Sequence, residues 1–382
     1  MGPYRISAAI ICKNNEKVIE RCLDSIRPYV DEIVVCDTGS TDSTISIVKP
    51  MEGVFLYTDF KWCNDFSKAR NHCNSKCTGD WIFSIDSDEV FTMGPGDFET
   101  FHDRIEADGP LAYRIRKYSG GLVYCLPRLY KNCSEVKWVN PFHNVLSVTG
   151  QKGNMLNASI TEKKNKIELS YSDRQDRQKE LIKTFKDRIK QSPKDERSMF
   201  YLARTYRDNH MVQDSIDWFE KYLEIAWWKD EIYCAWIGLG RQQQFIDTPF
   251  AIRSFLKAYE VDPDRNEAQC EIMKIYLKEG LYKQVGFYYE VCREGLPPDD
   301  KLFLERATYA YLPRYLYAQM LYNTGDLSGA LRHGKLCMRE YGGANAKGLV
   351  QKWRTEWKQT STLKVNLSTK KDTDILPKKA GQ

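Results

Sequence analysis

Ile33-Val34-Val35-Cys36-Asp37-Thr38-Gly39-Ser40-Thr41-Asp42 and Trp81-Ile82-Phe83-Ser84-Ile85-Asp86-Ser87-Asp88-Glu89 decide the reading of this chain. Each is an apolar run of strand length that ends in a cluster of carboxylates. Side chains alternate along an extended segment, so Asp86 and Asp88 stand on one side of it. Such a pair suits a hard divalent cation that also grips a diphosphate. The Asp-Thr-Gly-Ser turn at Asp37 suits the base and ribose of a nucleotide.

Working outward, residues 5–12 form another short apolar run, a buried strand. Val18, Ile19, Cys22, Leu23 and Ile26 recur at helical spacing, and Pro28 ends that helix. A short helix is expected over Ser43–Lys49, a strand over Val54–Tyr57 and a helix over Asp65–Cys77. Alternation of this kind predicts a parallel sheet with helices on both faces. Ligands of such sheets bind beyond the carboxyl ends of the strands, where Asn14, Asp37 and Asp86 all fall. After residue 110 the pattern changes to paired strands around Ser119-Gly120-Gly121, then Arg128–Tyr130 and Trp138–Leu146. The polar stretch Gln151–Lys166 reads as a loop.

From about residue 176 the chain becomes helical and repetitive. Phe200–Tyr206, Cys234–Gly240 and Cys270–Tyr276 align, with last residues 34 and then 36 apart. Each is followed by a second amphipathic segment: Ser215/Phe219/Leu223, Ala251/Phe255/Ala258 and Val285/Tyr289. A weaker fourth unit runs from Tyr315 to Ala330. This period and its aromatic and small-residue pattern resemble tetratricopeptide repeats.

Composition limits the alternatives. The chain has 382 residues and is 42% hydrophobic, enough for two or three domains with their own cores. Net charge is +5, and residues 358–382 alone hold six Lys against two Asp. The remainder is nearly neutral, which argues against a basic nucleic-acid-binding face. The tail itself is expected to be disordered. No apolar run reaches the roughly 18–20 residues that span a bilayer. Met1-Gly2-Pro3-Tyr4-Arg5 leads directly toward a strand, so a cytoplasmic location is expected. The 12 cysteines fall in apolar stretches, as with Cys12, Cys22, Cys36 and Cys234, and are expected to be free thiols.

The first 145 residues resemble family 2 glycosyltransferases of the GT-A fold. The resemblance rests on Ala9-Ile-Ile-Cys-Lys-Asn14, Asp37-Thr-Gly-Ser-Thr-Asp42, Phe66-Ser-Lys-Ala-Arg-Asn71 and Asp86-Ser-Asp88, in that order and spacing. Within the family, Trp62-Cys-Asn-Asp65-Phe66 is most like lipopolysaccharide-core β-glucosyltransferases and peptide glycosyltransferases with helical extensions. The resemblance implies a metal-dependent, inverting transfer from a nucleotide-diphosphate sugar, UDP-linked, to a glycan, peptide or protein.

The implied roles attach to particular residues. Lys13, Asn14, Asp37, Arg70 and Asp86 would line the nucleotide-sugar site. Arg70 would neutralise diphosphate charge; its bland alternative is a surface arginine paired with Asp65. Asp37 would contact uracil or ribose; an Asx-turn over Gly39 and Ser40 is its bland role, and the two are compatible. Asp42 is expected to cap the helix at Ser43. Asp88, Asp86 and His143 would hold Mn²⁺ or Mg²⁺. Relatives carry Gly-x-Ile-His-Glu where this chain has Asn140-Pro-Phe-His143-Asn144. Glu89 is the first candidate for general base and Asp65 the second.

The expected architecture is therefore an α/β GT-A domain with a Rossmann-like nucleotide-binding sheet over 1–150. A linker over 151–175, an all-α tetratricopeptide-like solenoid over 176–357 and a basic tail over 358–382 complete it. The repeats imply a partner, an acceptor or self-association. A competing reading is an inactive GT-A and repeat scaffold in a glycan-assembly complex. A nucleotidyltransferase would need a Gly-rich basic loop after the first strand, and Cys12-Lys-Asn-Asn-Glu16 has no Gly.

Overall fold

The computed structural model describes residues 4–94, 109–150, 152–162, 171–292 and 301–341, with a few isolated positions besides. The chain divides into two compact units: Met1–Ser170 with Asp299–Leu304, and Tyr171–Pro298 with Glu305–Gln382.

The first unit is built on β1 (Ile6–Cys12), α1 (Ile19–Ile26), β2 (Glu32–Asp37), α2 (Thr44–Val48), β3 (Val54–Tyr57), α3 (Phe66–Asn74) and β4 (Trp81–Ser84). There follow β5 (Glu89–Met93), β6 (Ala112–Ser119), β7 (Leu122–Lys131), β8 (Lys137–Val139), β9 (Val145–Ser147) and β10 (Gly153–Glu162). The main sheet has the order β3-β2-β1-β4-β7-β6-β10-β5, and Leu304–Glu305 (β11) joins it at β7. Strands β3, β2, β1 and β4 are mutually parallel, as expected. Beyond β4 the sheet is mixed: β7 and β6 run antiparallel as a hairpin, and β10 lies parallel to β6 and antiparallel to β5.

Alternation along β1 supplies both faces of the core. Ile6, Ala8, Ile10 and Cys12 meet Ile19, Cys22, Leu23 and Ile26 of α1 on one side. Ala9 meets Val34, Cys36, Ile82 and Cys73 of α3 on the other. Parallel pairing aligns Cys12 with Asp37, so the carboxyl ends of β1 and β2 finish level.

Two expectations change. The stretch 151–166 contains β10, a ten-residue strand, rather than forming only a loop. Its sequence is polar enough to resemble a connection, yet Ala158 and Ile160 are buried between β5 and β6. The expected linker 151–175 therefore includes a sheet strand and the start of a long helix. The tail 358–382 lies outside the described residues.

The second unit begins with α4 (Tyr171–Gln191). Helix pairs follow: α5 (Glu196–Asp208) with α6 (Val212–Ile225), α7 (Lys229–Gln243) with α8 (Thr248–Val261), and α9 (Glu267–Lys278) with α10 (Tyr282–Val291). After α11 (Arg306–Ala310), α12 (Leu312–Asn323) pairs with α13 (Leu327–Tyr341). This is a tetratricopeptide-like solenoid. Small residues set its helix spacing: the Phe219 ring packs onto Gly238 and the Phe255 ring onto Gly240. A buried polar knot ties the later repeats, with the Arg265 guanidinium 3.9 Å from the Tyr233 ring centroid and 3.2 Å from Glu267. The hydroxyls of Tyr233 and Tyr309 both donate to Glu267.

A Cβ at Gly238 would stand 2.5 Å from Cζ of the fully buried Phe219. In an exposed helix, Gly→Ala stabilises by about 1 kcal/mol. Here Gly238→Ala is expected to destabilise the repeat unit by about 1–3 kcal/mol, the ordinary cost of overpacking. Urea unfolding checks the sign, and a gain in stability would contradict the packing described.

Candidate active site

Three loops meet at the carboxyl edge of β1, β2 and β4. Asn14 adopts left-handed backbone (φ 55), unusual for a residue with a side chain. Its N–H donates to Ser40 Oγ at 2.8 Å, and its Oδ1 accepts from the Thr41 N–H at 2.7 Å. Asn15 continues the stitching: its N–H donates to Thr44 Oγ1, and its Oδ1 accepts from Ser87 Oγ. The loops after all three strands are thus joined by short polar side chains. Asn15, Thr44 and Ser87 escaped the sequence reading, because nothing local marks such long-range partners. Lys13 lies exposed beside them, and its N–H donates to Asn15 Oδ1.

Asp37 is 2% exposed, and its own turn uses its carboxylate. Oδ1 accepts from the Gly39 and Ser40 N–H groups, and Oδ2 accepts from Ser40 Oγ and Cys12 Sγ. This is the Asx-turn alternative. Burial, then the Asp37 charge, push the Cys12 thiol far up. Asp42 accepts from the Thr44 N–H at 3.0 Å, one residue ahead of the N-cap Ser43 of α2. Burial slightly opposes its ionisation, but hydrogen bonds from Thr44 and Glu16 hold its carboxyl below the usual range.

Asp65 is the N-cap of α3, accepting from the Lys68 N–H at 3.1 Å and from Ser67 Oγ at 2.6 Å. It does not pair with Arg70. Arg70 is instead buried, with its guanidinium 4.9 Å from the Trp138 ring centroid. It donates to Ser84 Oγ at 3.1 Å and forms a close ion pair with Asp86. Arg70 thus links α3 to the end of β4.

Asp86 receives two more cations, Arg128 Nη2 at 3.1 Å from β7 and Lys117 Nζ at 3.9 Å from β6. Burial would raise its pKa, but Arg70, Arg128 and Lys117 outweigh that and hold it well below the carboxylate range. Glu89 completes the knot. It is 0% exposed, pairs with Lys117 at 2.6 Å and Arg128 at 3.0 Å, and accepts from the Asp86 N–H at 2.8 Å. Lys117 and Arg128 were not singled out in the sequence. The available signal was a cation inside an apolar strand, as in Leu126-Pro127-Arg128-Leu129-Tyr130.

These contacts correct two expectations. Glu89 is fully buried, and Lys117, Arg128 and the Asp86 N–H occupy its carboxylate, so the structure does not present it to an acceptor hydroxyl. The metal set Asp86, Asp88 and His143 is not assembled either. Among the described residues no group of three or more His, Cys, Asp or Glu side chains is arranged to hold a metal. Asp86 already faces three cations, and His143 is an exposed residue in a left-handed turn (φ 46). Asp88 differs from both. It is half-buried and makes no ion pair with a described residue. Burial first, then the charges of Asp86 and Glu162, push its carboxyl up. A carboxylate crowded by like charges fits a cation.

Comparison with known proteins gives this edge its class. The family model for glycosyl transferase family 2 matches residues 7–150. A TPR repeat-containing protein of Synechococcus elongatus is 33% identical over 144 residues, 37% of this chain and 35% of that one. The SPbeta prophage-derived glycosyltransferase SunS of Bacillus subtilis is 32% identical over 143 residues, 36% of this chain and 34% of that one. The match to the glycosyl transferase family 2 model thus falls within the first unit. The chain spans about a third of the length of these curated relatives. Among solved structures, MamA covers 45% of this chain and 95% of its own, at 16% identity and a TM-score of 0.35. That superposition is too loose to add to the helix packing already described. No helix among the described residues is long and apolar enough to cross a membrane.

Arg128→Met removes a cation from the buried Glu89 carboxylate. Breaking a buried pair in this way is expected to cost about 3–5 kcal/mol. Adding Glu89→Gln should recover part of the loss, because the stranded charge is then gone. Denaturant unfolding of wild type, both single variants and the double variant measures the coupling. Strict additivity would contradict the pairing.

Proposed function

We propose that this chain is a glycosyltransferase that moves a sugar from a nucleotide-diphosphate sugar, UDP-linked, to a hydroxyl of a glycan, peptide or protein acceptor. The observation that carries this reading is the Asp86 carboxylate, fixed by three cations at the carboxyl edge of the parallel strands beside the open Asp88. That edge is where α/β sheets of this kind take nucleotides. The family 2 match over the same strands supports it.

Asp88 would hold a Mn²⁺ or Mg²⁺ ion, with the remaining ligands drawn from the donor diphosphate and water. The ion, when bound, supplies positive charge against the leaving diphosphate. Lys13 and Asn14 would border the nucleotide. In the transfer, the acceptor oxygen forms a bond to the anomeric carbon as the bond from that carbon to the diphosphate breaks. The configuration inverts, and the acceptor proton passes to a carboxylate. Asp65 is the base in this scheme. It retains 15% side-chain exposure; Oδ1 is spent on capping α3, and Oδ2 faces only the exposed Lys68 ammonium at 3.7 Å. The repeats would bind a polypeptide acceptor or a partner protein.

Nucleotide release from a UDP-sugar panel, with and without acceptor, tests the reading. Asp88→Asn should lower turnover by about 10²-fold or more with an unchanged melting temperature. Asp65→Asn keeps a good N-cap residue yet removes the base, so kcat should fall by about 10²–10⁴-fold. Wild-type rates in Asp88→Asn would refute the site assignment, and wild-type rates in Asp65→Asn the base.

A further inference from the structure

The Trp62-Cys63-Asn64-Asp65-Phe66 segment holds aromatic rings that the reaction scheme leaves unused. The Trp62 and Phe66 ring centroids are 4.9 Å apart at 71°, and those of Phe66 and Phe142 are 6.2 Å apart at 72°. Edge-to-face angles fan the three rings rather than stacking them. Each keeps part of its surface in water. The Trp62 indole N–H donates to Asn64 Oδ1 at 2.8 Å, which fixes the ring. The Phe66 N–H donates to the Pro141 carbonyl at 2.9 Å, which ties the loop before α3 to the loop between β8 and β9.

Backbone strain collects at the same place. Six described non-glycine residues have positive φ, and Asn64, Asn140 and His143 are three of them. Such conformations persist where surrounding structure holds a loop in a required shape. The placement is also specific. Phe66 and Arg70 are four residues apart on α3, so they share a helix face with about 5–6 Å between their Cβ atoms. Arg70 contacts Asp86 directly. Phe66 of the aromatic cluster therefore stands one helical turn from Arg70, one of the cations that hold Asp86.

We propose that Trp62, Phe66 and Phe142 form a platform for a pyranose ring of the acceptor. This rests on the glycosyltransferase reading, which puts the donor diphosphate at the Asp86 edge and leaves the next helical turn to the acceptor. A pyranose has an apolar C–H face and a hydroxyl periphery. The site matches that pattern, with fixed aromatic rings bordered by Asn64, Asp65 and the exposed His143. A purely apolar peptide side chain would leave the polar rim unused.

Saturation-transfer NMR of the full chain with a panel of methyl glycopyranosides tests the platform. At least one glycoside should receive saturation on the C–H protons of a single ring face. Affinity should fall about tenfold or more in Trp62→Ala and in Phe142→Ala, whereas Phe250→Ala on α8 should bind as wild type does. Cooperative thermal melts of both platform variants separate lost contact from lost fold, and Trp62→Phe should restore most of the affinity. Absence of saturation with every glycoside, equal affinity in Trp62→Ala, or capture of an aromatic peptide instead would overturn the proposal. Glycoside binding that depends on Trp62, together with no response to any nucleotide sugar, would keep the platform and remove the transferase reading.

Discussion

The carboxylate of Asp86 is the fixed point of the first unit. It sits just past β4 and is held by cations from α3, β6 and β7 at once. Charges taken out of water are tolerated only when partners replace the lost hydration. Arg128 meets that demand together with Glu89, whose other oxygen accepts from the Asp86 backbone. Three elements therefore converge on one oxygen pair, and none can shift without breaking an ion pair to Asp86. The mixed half of the sheet, which departs from a simple parallel design, brings Lys117 and Arg128 to this point.

The polar stitching around Asn14, Asn15 and Ser40 does for the loops what the ion pairs do for the strands. Small side chains satisfy backbone N–H groups across the ends of β1 and β2, and Ser87 Oγ joins the loop after β4 to Asn15 Oδ1. Preorganisation of this kind matters most where charge develops during a reaction. Asp88 stands apart because it is left outside these networks, next to like charges. Asp86 is tied down by three ion pairs, whereas Asp88 makes none with a described residue.

Much of this was legible in the sequence, for identifiable reasons. The strands β1 to β4 are continuous apolar runs, and the helices between them show clear spacing, so both their type and order follow from residue pattern. The repeats declared themselves through period. By contrast β10 is polar and irregular, with a register shift between Asn154 and Ser159, and reads as a loop until its neighbours are known. Glu89 looked accessible because Asp88 precedes it, yet it begins β5 and turns inward. Its partners Lys117 and Arg128 are 28 and 39 residues away in the chain, a distance no local pattern spans. The metal role of His143 came only from the resemblance to Gly-x-Ile-His-Glu in relatives, and its left-handed backbone is invisible in the sequence.

The proposed function makes the Asp86 edge a nucleotide-sugar site completed by a cation at Asp88. Isothermal titration of the full chain with UDP and a set of UDP-sugars, in Mn²⁺ and then in chelator, addresses it most directly. At least one UDP-sugar should bind saturably, with an affinity that weakens about tenfold or more when the cation is removed. Absence of binding by every nucleotide, or an affinity indifferent to the cation, would contradict it.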